Sequence, residues 1–248
     1  MTICLIVALS ACIGVAAGLL GAGTSILTVL LLVHVAGLPI GSAIATSLVV
    51  VAAMSVVALV PYSRARAVMW RAGGAFSVSS MIGAFVGGRM SAWLPARVLL
   101  AIFATTMVVA AIAMLWSPRP RSGERAGGSR RVLAVAAAGL PLGGLTGMVG
   151  LGGGFAVLPL LVLFTSTPVP SAVGTTLFVV TMNTLAGLAG HLPHAAVQWR
   201  LAAGLSVVGS AGSLLGARLG KRIDARVLRR GFAAVMLATA FALLVSTR

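Results

Sequence analysis

The chain alternates between long apolar runs and short turns rich in glycine, proline or arginine. Most runs are about as long as the roughly 20 residues that a helix needs to cross the hydrocarbon core of a bilayer. Two of them, 24–36 and 153–166, are too short to cross. The pattern predicts an all-α, polytopic transmembrane helical bundle that contains broken or half-length helices. The apolar runs cover residues 3–19, 24–36, 42–61, 72–93, 98–116, 132–149, 153–166, 171–190, 201–217 and 231–247.

Composition excludes a soluble globular domain. The chain has 248 residues, of which 60% are hydrophobic and 8% are charged, whereas soluble domains are about 45–50% apolar and about 25% charged. The net charge of +16 comes from arginines that cluster between apolar runs, as in 119–131 and 218–230. This distribution is typical of cytoplasmic loops, so it favours the lipid bilayer and its anionic headgroups as the partner and excludes nucleic acid. The composition leaves the oligomeric state open.

A hydrophilic segment separates two copies of one unit. When the sequence is shifted by 129 residues, Gly18–Leu115 aligns with Gly147–Leu244 without a gap. Shared hydrophobicity does not explain proline, tryptophan and arginine matches at one constant offset, so we infer an internal repeat. The predicted organisation is repeat 1 (1–117), a basic cytoplasmic linker (118–131) and repeat 2 (132–248) within one integral membrane domain. Matched positions include Pro39 with Pro168, Trp70-Arg71 with Trp199-Arg200, and 96–99 with 225–228.

The arginines also predict how the copies are oriented. Loop 62–71 is strongly basic, but its equivalent 191–200 holds a single arginine, and the basic residues of repeat 2 gather instead in 218–230. Cytoplasmic loops carry the excess of lysine and arginine. Equivalent loops are therefore expected on opposite sides of the membrane, which makes the two repeats inverted and places both termini outside the cytoplasm.

A glycine cluster occurs once in each repeat, at 18–25 and at 147–154, where a full-length helix meets a short one. Irregular backbone at membrane depth is tolerated only where it is buried in protein or lines a wet cavity. A helix that begins after such a break presents free N–H groups and the positive end of its dipole, which together attract an anion. The alternative is that these glycines permit close helix packing. We favour that alternative for the glycines spaced by four in later helices: Gly83, Gly87, Gly212 and Gly216.

Hydroxyl and amide side chains follow each break. Thr46-Ser47 and their equivalents Thr175-Thr176 lie just inside the next apolar run, where they either bind oxyanion oxygens or bond back to their own helix. Asn183 either completes the site or joins two helices, and its equivalent, Met54, is apolar, so the site is not required to be symmetric. The predicted substrate-binding residues are Gly21, Gly23, Thr24, Ser25, Thr46, Ser47, Gly150, Gly152, Gly153, Gly154, Thr175, Thr176 and Asn183.

Acidic residues are nearly absent, and this narrows the chemistry. Glu124 and Asp224 are the two carboxylates, and neither lies in an apolar run. Cation sites need carboxylate ligands, so we predict no metal site and no cofactor. His34 is the histidine inside an apolar run, either a proton carrier or an interfacial polar residue. No nucleophile, acid–base pair or metal set is visible, so we predict no catalytic residues and no enzyme.

These features together resemble the sulfite exporter TauE/SafE family over nearly the whole chain. The resemblance is carried by 147–159, by Gly174-Thr175-Thr176, by Ala45-Thr46-Ser47 and by the Trp-Arg loops. It implies a multi-pass permease of the bacterial inner membrane for small sulfur-containing anions such as sulfite or organosulfonates. The residues themselves favour an anion over a cation. The predicted function is therefore a secondary transporter for a small oxyanion, and the alternatives are a membrane-embedded enzyme and a non-transporting scaffold.

Overall fold

The structure is a computed structural model that describes residues 2–20, 25–90, 129–149 and 169–220, with single positions within 93–112, 157–161 and 223–238. The described residues form helices and turns and contain no strand, which confirms the all-α prediction. The helices are α1 (Thr2–Leu20), α2 (Ser25–His34), α3 (Ile40–Arg64), α4 (Trp70–Met90), α5 (Ser129–Val149), α6 (Val169–His191) and α7 (Trp199–Gly220).

Among the described residues, three helices are long and apolar enough to cross a membrane: Ile40–Arg64, Pro170–His191 and Trp199–Gly220. The second helix, α2, has 10 residues, which at 1.5 Å per residue is about half the thickness of the hydrocarbon core. The prediction of a short helix after the first glycine cluster is therefore met by α2. The predicted runs 98–116, 153–166 and 231–247 lie mostly outside the described residues.

The turn between α3 and α4 is a Schellman motif, which ends α3 sharply. The N–H of Ala67 donates to the carbonyl of Tyr62 at 2.9 Å, and the N–H of Arg66 donates to the carbonyl of Ser63 at 3.0 Å. Arg66 takes the left-handed position with φ of 52°, which glycine usually fills. The chain reverses within a few residues, so α4 runs antiparallel to α3, but it packs against α5 and α6 rather than against α3.

The first helix of each predicted repeat packs against a helix of the other predicted repeat. The first helix of repeat 1, α1, packs along α7 of repeat 2 in the parallel direction, with Gly14 against Gly209 and Gly18 against Ser213. The first helix of repeat 2, α5, packs in the same way along α4 of repeat 1. Each contact in one pair recurs in the other at the offset of 129: Gly14–Gly209 with Gly143–Ser80, Gly18–Ser213 with Gly147–Ala84, Gly212–Ala11 with Gly83–Leu140, and Gly216–Val15 with Gly87–Gly144.

Helix α3 and its equivalent in the second predicted repeat, α6, lie side by side at the centre and run in opposite directions. Gly174 near the start of α6 approaches Tyr62 and Ala67 at the end of α3, and Gly187 near the end of α6 approaches Leu48 near the start of α3. The main buried cluster contains residues of both helices, such as Val51 and Ala58 of α3 and Leu177 and Val180 of α6. Any site between the two repeats is therefore built around these two helices.

Candidate functional site

The hydroxyls of Thr46 and Thr175 accept hydrogen bonds from backbone N–H groups that lie just before helices of the other repeat. The hydroxyl of Thr175 accepts a hydrogen bond from the N–H of Met69 at 2.9 Å, immediately before α4. The hydroxyl of Thr46 accepts from the N–H of Gln198 at 3.1 Å, immediately before α7. Thr175 also donates to the carbonyl of Ser171 at 2.7 Å. These threonines satisfy N–H groups at helix starts, which have no partner within the helix.

The neighbouring hydroxyls differ between the repeats. Ser47 donates to the carbonyl of Ile44 at 2.8 Å, so it bonds back to its own helix. Its equivalent, Thr176, is fully buried at 0% exposure, and its hydroxyl has no hydrogen-bond partner among the described residues. Among the predicted site residues whose side chains are described, Thr176 is therefore the one whose hydroxyl is available to bind a ligand.

Asn183 forms a buried polar pair with Ser80. The hydroxyl of Ser80 lies 2.6 Å from Oδ1 of Asn183 and donates to it. Because Ser80 occupies the middle of α4, this pair lies near mid-depth of the bundle. The equivalent place in the other repeat is apolar, since the side chain of Met54 lies against Gly209. The prediction that the site is not required to be symmetric agrees with this contact, and the pair also joins α6 to α4.

The central residues of both glycine clusters, 21–24 and 150–154, fall outside the described residues, whereas Gly18 and Gly147 are described near the ends of α1 and α5. The preceding helices α1 and α5 end at the equivalent positions Leu20 and Val149, and α2 begins at Ser25. Of the short helix expected in repeat 2, residues 157, 158 and 161 are described, and they are helical and buried. The predicted site residues that lie outside the described set are Gly21, Gly23, Thr24, Gly150, Gly152, Gly153 and Gly154, and nothing is stated of the side chain of Ser25.

Charge is confined to the ends of the described helices. The described part of the chain contains no aspartate or glutamate, and no group of three metal-binding side chains occurs in it. The described arginines are exposed: Arg64, Arg66, Arg71, Arg89, Arg200, Arg218 and Arg230. Trp70 and Trp199, which precede Arg71 and Arg200, are also exposed, as expected of residues at a membrane interface.

Four buried hydroxyls that were not predicted for the site have no hydrogen-bond partner among the described residues. Two of them occupy equivalent positions, Ser77 of α4 and Ser206 of α7, and the others belong to Thr28 of α2 and Ser55 of α3. Serine in a helix usually bonds back to its own turn, so the sequence alone gave no reason to select them. A signal was available in the alignment of the two repeats, in which Ser80 is equivalent to Gly209 and Asn183 is equivalent to Met54.

Comparison with known proteins assigns the family. The family model for the sulfite exporter TauE/SafE family matches residues 6–243. The chain belongs to the sulfite exporter TauE/SafE family. It is 31% identical over 233 residues to a probable membrane transporter protein of Xylella fastidiosa (strain 9a5c), covering 92% of this chain and 89% of the relative. It is 22% identical over 202 residues to the probable membrane transporter protein YunE of Bacillus subtilis (strain 168), covering 75% and 74% of the two chains. No solved structure matches the chain significantly.

Proposed function

We propose that this member of the sulfite exporter TauE/SafE family is a secondary transporter for a small sulfur-containing oxyanion, such as sulfite or an organosulfonate, in the bacterial inner membrane. The observation that carries the proposal is the exchange of helices between two equivalent units. Transporters built from inverted repeats bind substrate near mid-depth, at the interface between the repeats. A protein of this kind moves its substrate unchanged and is not an enzyme.

The contacts support an inverted arrangement. The end of α3 and the end of α7 lie together, because the Tyr62 hydroxyl is close to Gly220. The end of α1 joins them through a hydrogen bond from Tyr62 to the carbonyl of Gly18 at 3.3 Å. Arg64 and Arg218 therefore lie on one side, which by the positive-inside rule is cytoplasmic. The end of α4 lies instead beside the end of α6, where Gly88 approaches His191.

The helices that precede the two glycine clusters end on opposite sides of the bundle. The cluster at 21–24 follows α1, which ends on the arginine-rich side, and the cluster at 150–154 follows α5, which runs parallel to α4 and ends on the other side. In our proposal, each cluster leads towards mid-depth and presents backbone N–H groups and the start of a short helix to the anion. The two clusters thus form two halves of one transport path.

The side chains predicted for the site divide into two roles in this proposal. Thr46 and Thr175 shape the path by fixing helix starts, and Ser47 bonds to its own helix. Thr176 and Asn183 line the path and donate hydrogen bonds to the anion. The chemistry favours an anion because the described helices offer hydroxyl, amide and N–H donors and no carboxylate, which a cation would require.

Transport is tested by flux into liposomes that contain the purified protein, with sulfite, methanesulfonate and sulfate as separate probes. We expect sulfite or methanesulfonate to enter faster than it enters protein-free vesicles. The variant Gly153→Leu, which places a side chain in the second cluster, should abolish flux. The matched control is Gly204→Leu, because a β-carbon at Gly204 of α7 meets nothing within 4 Å. Absence of flux for every probe would refute transport of this class and favour a scaffold, and normal flux in Gly153→Leu would remove the second cluster from the path.

A further inference from the structure

The two repeats offer different surroundings to a ligand at equivalent places near mid-depth. We define the second-copy junction as Ser77 and Ser80 of α4 with Thr176 and Asn183 of α6. The first-copy junction consists of the equivalent residues, which are Ser206, Gly209, Ser47 and Met54. We propose that the transporter binds its oxyanion at the second-copy junction alone, through uncharged donors, and that the hydroxyl of Ser77 is one of these donors. This inference rests on the proposed function.

The packing of α4 against α6 places Ser77 in this junction. Gly73 lies against Thr175 and Phe178, and Gly88 lies against Gly187 and His191. Because residues four apart share one face of a helix, Ser77 lies on the same face of α4 as Gly73. Ser80, which bonds to Asn183, continues that face. Ser77 therefore faces α6 at a height between Thr176 and Asn183.

Thr176 lies on the matching face of α6. It is seven residues, or about two helical turns, before Asn183, so both side chains project in nearly the same direction. Ala172 and Val179 share this face and belong to the cluster that contains Val157 and Leu158, the described residues after the second glycine cluster. The junction is thus bounded by α4, by α6 and by the segment that follows the second break.

Two of the four polar side chains in the second-copy junction have hydroxyls without a hydrogen-bond partner among the described residues. Ser77 is 3% exposed and Thr176 is 0% exposed, and neither hydroxyl has a partner among the described residues. A buried hydroxyl without a partner costs free energy, whereas an apolar group of the same shape does not. Oδ1 of Asn183 is occupied by Ser80, so the NH₂ group of Asn183 carries the donors for an anion. An oxyanion between α4 and α6 supplies the acceptors that the hydroxyls of Ser77 and Thr176 lack among the described residues. The NH₂ group of Asn183, about 10 Å further along α6, is then the next donor along the path.

The first-copy junction is filled differently. Met54 replaces the amide and its methyl group lies against Gly209, where the other copy has Ser80. Met54 belongs to an apolar cluster with Leu31, Leu32 and Leu205. Ser47 bonds to its own helix, so Ser206 is the one member of this junction whose hydroxyl has no partner among the described residues, although the hydroxyls of Thr28 in α2 and Ser55 in α3 have none there either. The difference between the two junctions is therefore that the first offers an oxyanion neither an amide group nor the serine that holds it.

The test measures uptake of ³⁵S-sulfite into proteoliposomes as a function of sulfite concentration. The variants are Ser77→Ala and Thr176→Val, and the matched control is Ser206→Ala, which removes an equivalent unpartnered hydroxyl from the first-copy junction. We expect the half-saturation concentration to rise about tenfold in the first two, equivalent to ~1.4 kcal/mol, and to change less than about twofold in Ser206→Ala, which loses no hydrogen bond to a charged ligand. The thermal midpoint should stay equal or rise in all three, because each loses an unsatisfied buried group.

The outcomes separate this inference from the proposed function. If the wild-type protein moves neither sulfite nor methanesulfonate, both fail together. If the wild type transports and Ser77→Ala matches Ser206→Ala, transport stands and the one-sided site is wrong. If Ser77→Ala lowers the thermal midpoint in parallel with uptake, the hydroxyl is a packing element and the inference is overturned.

Discussion

The close contact between α1 and α7 makes a quantitative prediction about Gly212. A β-carbon at Gly212 of α7 would lie 2.5 Å from the carbonyl oxygen of Ala11 and 3.1 Å from the nitrogen of Val15, both in the backbone of α1. Neither neighbour is a flexible side chain that can turn away. Alanine at this position therefore forces α1 and α7 apart by at least about half an ångström, because packed interiors tolerate little overlap.

The expected loss of stability in Gly212→Ala is the balance of two opposing free-energy terms. Overpacking of this kind costs about 1–3 kcal/mol, and replacing glycine by alanine inside a helix returns up to about 1 kcal/mol. The matched control, Gly204→Ala in the same helix, keeps the second term without the first, since nothing lies within 4 Å of its β-carbon. We expect Gly212→Ala to be about 2 kcal/mol less stable than Gly204→Ala, a difference that isolates the packing term.

Stability is measured by reversible unfolding in mixed micelles with increasing SDS, followed by tryptophan fluorescence. In α4, Gly83→Ala is equivalent to Gly212→Ala, and Gly74→Ala serves as its control. This pair should show the same difference, since a β-carbon at Gly83 meets the backbone of Gly144 at 2.7 Å and one at Gly74 meets nothing within 4 Å. Equal stability of Gly212→Ala and Gly204→Ala would refute the packing of α1 against α7. A difference in one repeat only would refute the equivalence of the two contacts.

Three further predictions address the helix starts, a turn and the topology. Thr175→Val should lower the free energy of unfolding by about 1–2 kcal/mol, because it leaves the N–H of Met69 unpaired. The control Thr181→Val should lower it less, because the hydroxyl of Thr181 bonds only within its own helix. Equal losses in the two variants would contradict the capping role of Thr175. Arg66→Gly should raise stability by up to about 1 kcal/mol, because glycine adopts positive φ without strain, and an unchanged unfolding midpoint would contradict the left-handed turn. In a cysteine-free background, a cysteine placed by Arg66→Cys should react with an impermeant thiol reagent from the cytoplasmic side and one placed by His194→Cys from the opposite side; labelling from the same side would contradict the inverted arrangement.

Much of the local structure was predictable because it depends on nearby residues. The apolar runs anticipated α3, α4, α6 and α7, and the spacing of Gly83 and Gly87 anticipated a close helix contact. The repeat was visible because proline, tryptophan and arginine recur at one offset. These features need no knowledge of which helix packs against which.

The partners of each helix were not predictable in this way. That α1 packs on α7 depends on the three-dimensional arrangement of the whole chain, and no local pattern in 2–20 specifies it. The hydroxyls show the same limit, since Thr175 looks like a residue that bonds to its own helix, yet it also accepts from Met69 in the other repeat. Ser77 has no sequence signature of its own, because what distinguishes it is structural. Its buried hydroxyl has no hydrogen-bond partner among the described residues.

The most direct test of the account is an experimental structure of the protein with sulfite or methanesulfonate bound. We expect oxyanion density between α4 and α6, with ligand oxygens about 3 Å from the side chains of Ser77 and Thr176, and no density beside Met54. Density at Met54 and Gly209, or at exposed arginines alone, would contradict it.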